Sequence, residues 1–353
     1  MPTDRIRMLA TLRIATVRAA TLALPTAIMT AFISLAVATW AAAPALTAAP
    51  AVSASHQVQS LKVTVLVTNL GGDPRQGFGE WGYSALVEVD GHRILYDTGA
   101  SADLVLQNAR ALHIDLSDVE DVVLSHNHWD HVGGLMALRT ELSKINPKAM
   151  SRVHVGAGIF QPRLTETGED HNGLKEIQGQ YRSTGGTFLI HDGPIELWPG
   201  VWFTGPVPRP NPEKNWSPGL TLASAQGTVE DNVPEDSALV FNTSAGTVIL
   251  TGCAHAGIVN IATYAVRIVG TQPILAIIGG LHLFAATDAA VTWTATELKR
   301  FKLKNLLAGH CTGIEATYRI RAVTGLQRST AVVSAVGSSF TLGRGIDPLL
   351  LAR

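Results

Sequence analysis

The sequence predicts an α/β fold in four layers, two β-sheets packed face to face with helices on the outer faces. Two observations carry this expectation. Apolar runs of strand length alternate with amphipathic runs of helical period, and the runs fall into two batches separated by a turn-rich middle.

The first batch opens with LKVTVLVT (Leu61 to Thr68), SALVEVD (Ser84 to Asp90) and RILYDTG (Arg93 to Gly99), read as consecutive strands. The last two are joined at Asp90-Gly91, a hairpin signal. A helix follows from Ser101 to Leu112, with Ser101 as its N-cap and Leu104, Val105, Ala109 and Leu112 on one face. VEDVVLS is then a buried strand, and VGGLMALRTEL opens the next helix. The middle, Gln161 to Asp236, contains Trp198, Trp202, Trp216 and TGPVPRPNPEKNW. An irregular stretch of that length is expected to be functional or disordered. From Ser237 the second batch gives strands ALVFNT and GTVILTG, helix AGIVNIATYAVRIV and strand PILAIIGG. A helix near Ala289 to Phe301, strand NLLAG, a helix after Cys311 and strand AVVSAV complete it. The folded domain is assigned to residues 58–353.

At 353 residues and 46% hydrophobic content the chain can bury a large core. Lys plus Arg, 27, nearly balances Asp plus Glu, 28, so no net field would hold a nucleic-acid backbone, and nucleic acid is not an expected partner. Residues 1–55 read differently. Arg5, Arg7, Arg13 and Arg18 lead into an uncharged, mostly apolar run from Ala19 to Ser55, the layout of an export signal. Small residues at Val52 and Ala54, or at Ala41 and Ala43, offer cleavage sites. The expectation is export to a periplasmic or extracellular location; the alternative is an uncleaved anchor, since about 20 apolar residues span a bilayer. Membrane contact, on that alternative, is made through the leader.

Three of the twelve histidines crowd into LSHNHWDHVGG, Leu124 to Gly134. In an extended segment residues i and i+2 share a side, so His126 and His128 can converge on one ion. Asp130 and His131 fall where the helix begins, and the turn can aim them at a second. Neutral imidazole and carboxylate suit zinc, and are acceptable to iron or manganese. Two ions about 3.5–4 Å apart can share and deprotonate a water while polarising the bond under attack. A single histidine is ordinarily polar surface or a hydrogen-bonded core residue, but four ligand-type side chains in H-x-H-x-D-H spacing after an apolar strand are not.

Three further histidines end strands: His255 after GTVILTG, His282 after PILAIIGG and His310 after NLLAG. Carboxyl ends of strands in a covered sheet collect functional groups, so these residues are expected to face one cleft and complete the ligand shell. His56, His92, His113, His154, His171 and His191 are assigned to ordinary surface or core roles. Cys253 and Cys311 each neighbour a histidine, which points to a shared polar site; in an oxidising compartment they could instead form one disulfide.

H-x-H-x-D-H after a strand, with Asp-Thr-Gly (Asp97 to Gly99) upstream, resembles the metallo-β-lactamase superfamily of metal-dependent hydrolases. EDSALVFNT, LTGCAHAGIVN, IIGGLHLF, GHCTG and GPVPRPNPEK are similar to its branch of dihydropterin-ribofuranosylaminobenzene-phosphate synthases, over nearly the whole chain from Leu61 onward. The resemblance implies a dinuclear zinc site: His126 and His128 on one ion, Asp130 and His131 on the other, and His255 and His310 completing it. It places Asp130, Cys253 and His282 at the catalytic chemistry, with His282 on the rim. Asp97 is either a carboxylate that orients ligands or a turn residue. Where many superfamily members carry a metal-bridging aspartate this chain has Cys253, a thiolate ligand or an uncoordinated neighbour.

The function expected is therefore a zinc-dependent hydrolase in which a metal-bound hydroxide attacks a small-molecule phosphoester, lactone or related electrophile. Amides at the helix starts after His255 and His310 are expected to hold an anionic substrate group, with Arg163, Arg209 and Lys214 as candidate helpers. One alternative is a metal-dependent transferase that stabilises a leaving pyrophosphate; another is a non-catalytic metal- or ligand-binding protein.

Overall fold

A computed structural model describes residues 56–350 apart from 74–76, 102, 217, 225–226 and 271–272. The expected leader, residues 1–55, lies outside the described residues. No described helix is long and apolar enough to cross a membrane.

In chain order the strands are β1 (Leu61–Val67), β2 (Ser84–Val89), β3 (His92–Tyr96), β4 (Asp121–Leu124), β5 (Arg152–Gly156), β6 (Thr187–His191), β7 (Ile195–Trp198) and β8 (Val201–Phe203). They continue as β9 (Thr221–Ser224), β10 (Gly227–Glu230), β11 (Ala238–Thr243), β12 (Gly246–Thr251), β13 (Ile274–Gly279), β14 (Asn305–Ala308), β15 (Ala331–Val333), β16 (Ser339–Thr341) and β17 (Gly345–Asp347). The helices are α1 (Leu104–Ala111), α2 (Trp129–Val132), α3 (Leu135–Leu142), α4 (Gly173–Ser183), α5 (Ile258–Val269), α6 (Asp288–Arg300) and α7 (Ile314–Thr324).

One sheet has the order β17-β16-β1-β2-β3-β4-β5-β6 and the other β15-β14-β13-β12-β11-β8-β7; β9 and β10 form a separate ribbon. Strand alternation sorts the side chains into layers. On β11, Leu239 and Phe241 enter the core between the sheets, while Ala238 and Val240 face α5, α6 and α7. On β2, Ala85, Val87 and Val89 face the other sheet and Leu86 faces the core under α1, α3 and α4. Three apolar cores separating four layers give the expected αββα sandwich, with hydrophobic burial as its main driving force.

The Asp90-Gly91 hairpin forms, both residues having positive φ, 43° and 83°. Two expectations need correction. Ser101 does not cap α1, whose N-cap is Asp103; its amide and hydroxyl both donate to the Glu80 carboxylate. The middle is not irregular throughout, because it holds α4, the edge strands β6 and β7, the inner strand β8 and the ribbon, and the chain passes from one sheet to the other between β6 and β7. The five strands read in the second batch, β11 to β15, share one sheet, and β16, a strand not read from the sequence, returns to pair with β1 in the other.

Two sets of parallel neighbours position the site. β3 and β4 pair in register, Tyr96 beside Val123, so the residues that follow them, Asp97 and Ser125, come together. β12, β13 and β14 pair in parallel, aligning Thr251, Gly279 and Ala308, so His255, His282 and His310 all leave the same edge.

Candidate metal centre

The segment after β4 stays extended through His128, whose φ of −65° and ψ of 142° make it the residue from which α2 starts. Trp129 to Val132 then turn, carrying Asp130 and His131 to a different side from His126 and His128. The helix breaks at Gly133-Gly134, where a Cβ on Gly134 would stand 2.1 Å from the Thr98 carbonyl oxygen. This close approach lets the Thr98 amide and hydroxyl donate to the His131 carbonyl, at 2.7 and 2.9 Å.

All six predicted ligands converge, in two groups: His126, His128 and His255, and Asp130, His131 and His310. Within each group one ligand atom per residue lies within 4.8 Å of the others. Cys253 joins His126 and His131 in a third such group, and Cys253, His282 and Cys311 make a fourth. His310 Nε2 is 3.2 Å from His131 Nε2 and 3.1 Å from Asp130 Oδ2, and Cys253 Sγ is 3.1 Å from His131 Nε2. Ligands on a tetrahedral ion with bonds of about 2.0–2.1 Å stand about 3.3 Å apart, so these are separations found in a ligand shell.

The outer contacts fix which ring nitrogen faces inward. His255 Nδ1 lies 2.5 Å from the Asn215 carbonyl oxygen, which can only accept, so the proton is on Nδ1 and Nε2 carries a lone pair. Ser125 Oγ donates to Asp97 Oδ2 and accepts from His126 Nδ1, both at 2.8 Å, with the same result for His126. His131 Nδ1 donates to Asp97 Oδ2 at 2.8 Å, and His310 Nδ1 meets Asn69 Oδ1 at 3.3 Å. Metal-binding imidazoles are held through their second nitrogen in this manner. The inward Nε2 atoms of His126 and His255 are buried without a hydrogen-bond partner, as is Nδ1 of His282. Buried polar atoms normally find partners, so these orphans fit a cation-binding set.

The electrostatics agree. Burial holds His126 and His255 well below the usual histidine range, with neighbouring imidazoles adding to it. Burial also brings His128 to about 4, against the opposing pull of Asp130. These rings are neutral at pH 7, the form that ligates. For His131 burial acts downward too, but Asp130 and Asp97 outweigh it and raise the group to about 9. Asp130 falls below the carboxylate range, burial opposing and His131 and His310 prevailing. The second group, with Asp130 in it and Asp97 behind it, therefore favours positive charge, which a divalent ion brings in larger measure. Asp97, Ala254, His282 and His310 all have positive φ, between 48° and 56°, a backbone cost of the kind functional sites carry.

The chemistry of the donor set and the matching of the chain to known proteins point the same way. Residues 82–214 match the family model of the Metallo-beta-lactamase superfamily. Over 268 residues, 74% of this chain and 90% of the relative, the sequence is 31% identical to the 7,8-dihydropterin-6-methyl-4-(beta-D-ribofuranosyl)-aminobenzene-5'-phosphate synthase of Methanocaldococcus jannaschii. The chain belongs to the metallo-beta-lactamase superfamily. An uncharacterized protein of the same organism is 27% identical over 246 residues, 69% of this chain and 88% of that one. Among solved structures, a metal-dependent hydrolase of the beta-lactamase superfamily superposes with TM-score 0.64 at 23% identity, over 79% of this chain and 98% of that one. The metallo-beta-lactamase fold protein YhfI from Bacillus subtilis gives 0.50 at 15% identity, over 80% and 99%. Both likenesses are of fold.

Against this superfamily frame, several expectations change. The helix start after His255 is not free for a substrate anion: the Glu213 carboxylate accepts from the amides of Val259 and Asn260, at 3.0 and 2.8 Å. Burial outweighs those two bonds and raises Glu213 to about 7. Arg163 is not a loop cation but a buried one, paired with Asp231 at 3.1 Å and with Glu235. Arg209 lies over the Trp216 ring and donates to the Val233 carbonyl, and Lys214 is exposed. His154, assigned to an ordinary role, belongs to none of the ligand groups and contacts Asp121 and His191. Cys253 and Cys311 are free thiols.

Sequence reasoning missed Ser125, Asn215, Glu213 and the cavity beside His128. That cavity, about 350 Å³, is lined by Trp129, Val132, Met136, Ile177 and Leu220 together with the polar Asn127, His128 and Arg163. The only signal for Glu213 and Asn215 is the polar run after NP in a proline-rich loop.

Proposed function

We propose that this protein is a zinc-dependent hydrolase of small-molecule phosphoesters, lactones or related electrophiles. The observation that carries the reading is the pair of partnerless, buried Nε2 atoms of His126 and His255 beside a carboxylate-bearing second group. His126, His128 and His255 would hold one ion; Asp130, His131 and His310, with Cys253, would hold the other. Such ions supply, when bound, an activated water and a Lewis acid for the bond under attack. The chain's own residues do the rest. Ser125, Asn215, Asp97 and Asn69 keep the imidazoles in the ligating tautomer. The cavity beside His128 receives the apolar part of the substrate and excludes water from it. His282, partly exposed and beside the His255 ring, would give a proton to the leaving group.

A phosphodiester, phosphomonoester, lactone and β-lactam panel, run with and without chelator on protein of measured zinc content, tests the reading. Bound metal near two ions per chain, hydrolysis abolished by chelator and restored by zinc are expected; turnover that persists after complete metal removal would refute it. The transferase reading is favoured by one observation, the 31% identity to a synthase over 90% of that protein's length. It would show itself as pyrophosphate release that depends on an added acceptor.

Filling the cavity tests where the substrate sits. Ile177→Trp leaves the ligand groups intact, and is expected to raise KM about tenfold with kcat within about twofold, the signature of lost uniform binding. An unchanged KM across the panel would move the substrate elsewhere.

A further inference from the structure

We infer that Cys253 and Cys311 are a redox pair built into the metal centre, closing to an intrachain disulfide in the metal-stripped protein and kept as thiols by bound ions. The inference rests on the proposed metal loading, though not on the substrate. The two sulfurs are 3.1 Å apart, both residues are buried and both thiols are free. A disulfide needs about 2.0–2.05 Å, so the approach remaining is about 1 Å.

The pairing is unusual in its topology. Cys253 follows β12 and Cys311 follows β14, and β13 lies between them. The sulfurs meet because the end of β13 has no side chain there: a Cβ on Gly280 would stand 2.8 Å from Cys311 Sγ and 3.3 Å from Cys253 Cα. His282, partly exposed, lies beside both, its ring and the two sulfurs forming one group within 4.8 Å. Cys253 Sγ also sits 3.1 Å from His131 Nε2, inside the cluster with His126. One sulfur cannot serve both partners. As a thiolate it ligates; in a disulfide it cannot.

Burial limits access to a small oxidant, and hydrogen peroxide is the one proposed. One sulfur attacks peroxide, the O–O bond breaks, water leaves and a sulfenic acid remains. The second thiol attacks that sulfur and displaces its oxygen as another water. Two thiols and one peroxide give one disulfide and two waters, with two electrons passing from sulfur to oxygen.

The chain has only two cysteines, so thiol counting is unambiguous. Reduced protein, zinc-loaded or chelator-stripped, is treated with hydrogen peroxide, denatured and titrated with 4,4'-dithiodipyridine, and a non-reduced digest is searched for the Cys253–Cys311 peptide by mass. Stripped protein is expected to lose both thiols to that peptide and regain them with reductant, and loaded protein to react at least tenfold more slowly. Zinc uptake by the oxidised form should fall, whereas Cys311→Ser should take up zinc with wild-type stoichiometry and form no intrachain link. Two thiols surviving in stripped protein, oxidation to sulfinic acid alone, or equal rates with and without zinc would each overturn the inference. Loaded protein with both thiols intact that fails on every substrate would count against the hydrolase reading alone.

Discussion

Replacing His126 with alanine is expected to lower kcat/KM on the best substrate by on the order of 10³–10⁴-fold and to deplete bound metal. Its Nδ1 is fixed by Ser125 Oγ, and its Nε2 has no other partner in a fully buried setting. Without that ring the first group keeps only His128 and His255. Stability should change unequally. In loaded protein the variant forfeits the stabilisation that a tightly held ion contributes by linkage. In chelated protein it removes a buried, unsatisfied nitrogen, relieving about 1–3 kcal/mol, which offsets part of the cavity left behind. The gap in Tm between loaded and chelated forms should therefore narrow in the variant. Metal analysis, steady-state kinetics and melts with and without chelator check all three, and a variant with full metal and full turnover would place the chemistry elsewhere.

The four-layer fold was legible because most of its elements are buried on one or both faces. β11, β12 and β13 are almost entirely buried and read as apolar runs, and α5 presents Ile258, Ile261, Ala262, Ala265 and Ile268 to one core. The middle was illegible for the opposite reason. β6, β7 and β10 carry exposed or half-buried residues throughout most of their length, so their sequences show no clean period. The Ser101 cap failed because the N-cap falls two residues later, at Asp103, while Ser101 is tied through its amide and hydroxyl to Glu80, a contact that local sequence does not encode.

The centre divides along the same line. H-x-H-x-D-H is local, and His255, His282 and His310 are marked by strands whose parallel register brings their ends together. The residues that hold the rings leave weaker traces. Asn215 acts through its backbone carbonyl, an atom every residue has. Ser125 is one serine among many until the register of β3 and β4 sets it against Asp97. Arg163 finds Asp231 and Glu235 some 70 positions along the chain, so its burial follows only from the fold.

Asp97 is where a turn residue and an orienting carboxylate give different outcomes. Its Oδ1 accepts from the Ser125 amide and its Oδ2 from Ser125 Oγ and His131 Nδ1, each at 2.8 Å, with no solvent exposure. Asp97→Ala would strand these donors in a dry interior at a cost of about 3–5 kcal/mol, and is expected to fold poorly. Asp97→Asn is the sharper test. Its amide can keep the bond from the Ser125 amide but turns an NH₂ toward His131 Nδ1, which must then accept. The ring proton moves to Nε2, the atom facing Asp130, Cys253 and His310. Metal affinity at the second group is expected to fall by about 10–100-fold while the melt shows a folded protein. In stripped protein a pH series adds a second readout. His131, raised to about 9, contributes stability that is fully present below pH 6.5 and is lost as pH rises through 9. That decline, up to about 3 kcal/mol in the wild type, should shrink in Asp97→Asn, because one of the two carboxylates that raise His131 is gone. Wild-type metal affinity together with an unchanged pH slope would return Asp97 to a turn residue and leave the second group to Asp130 alone for its charge.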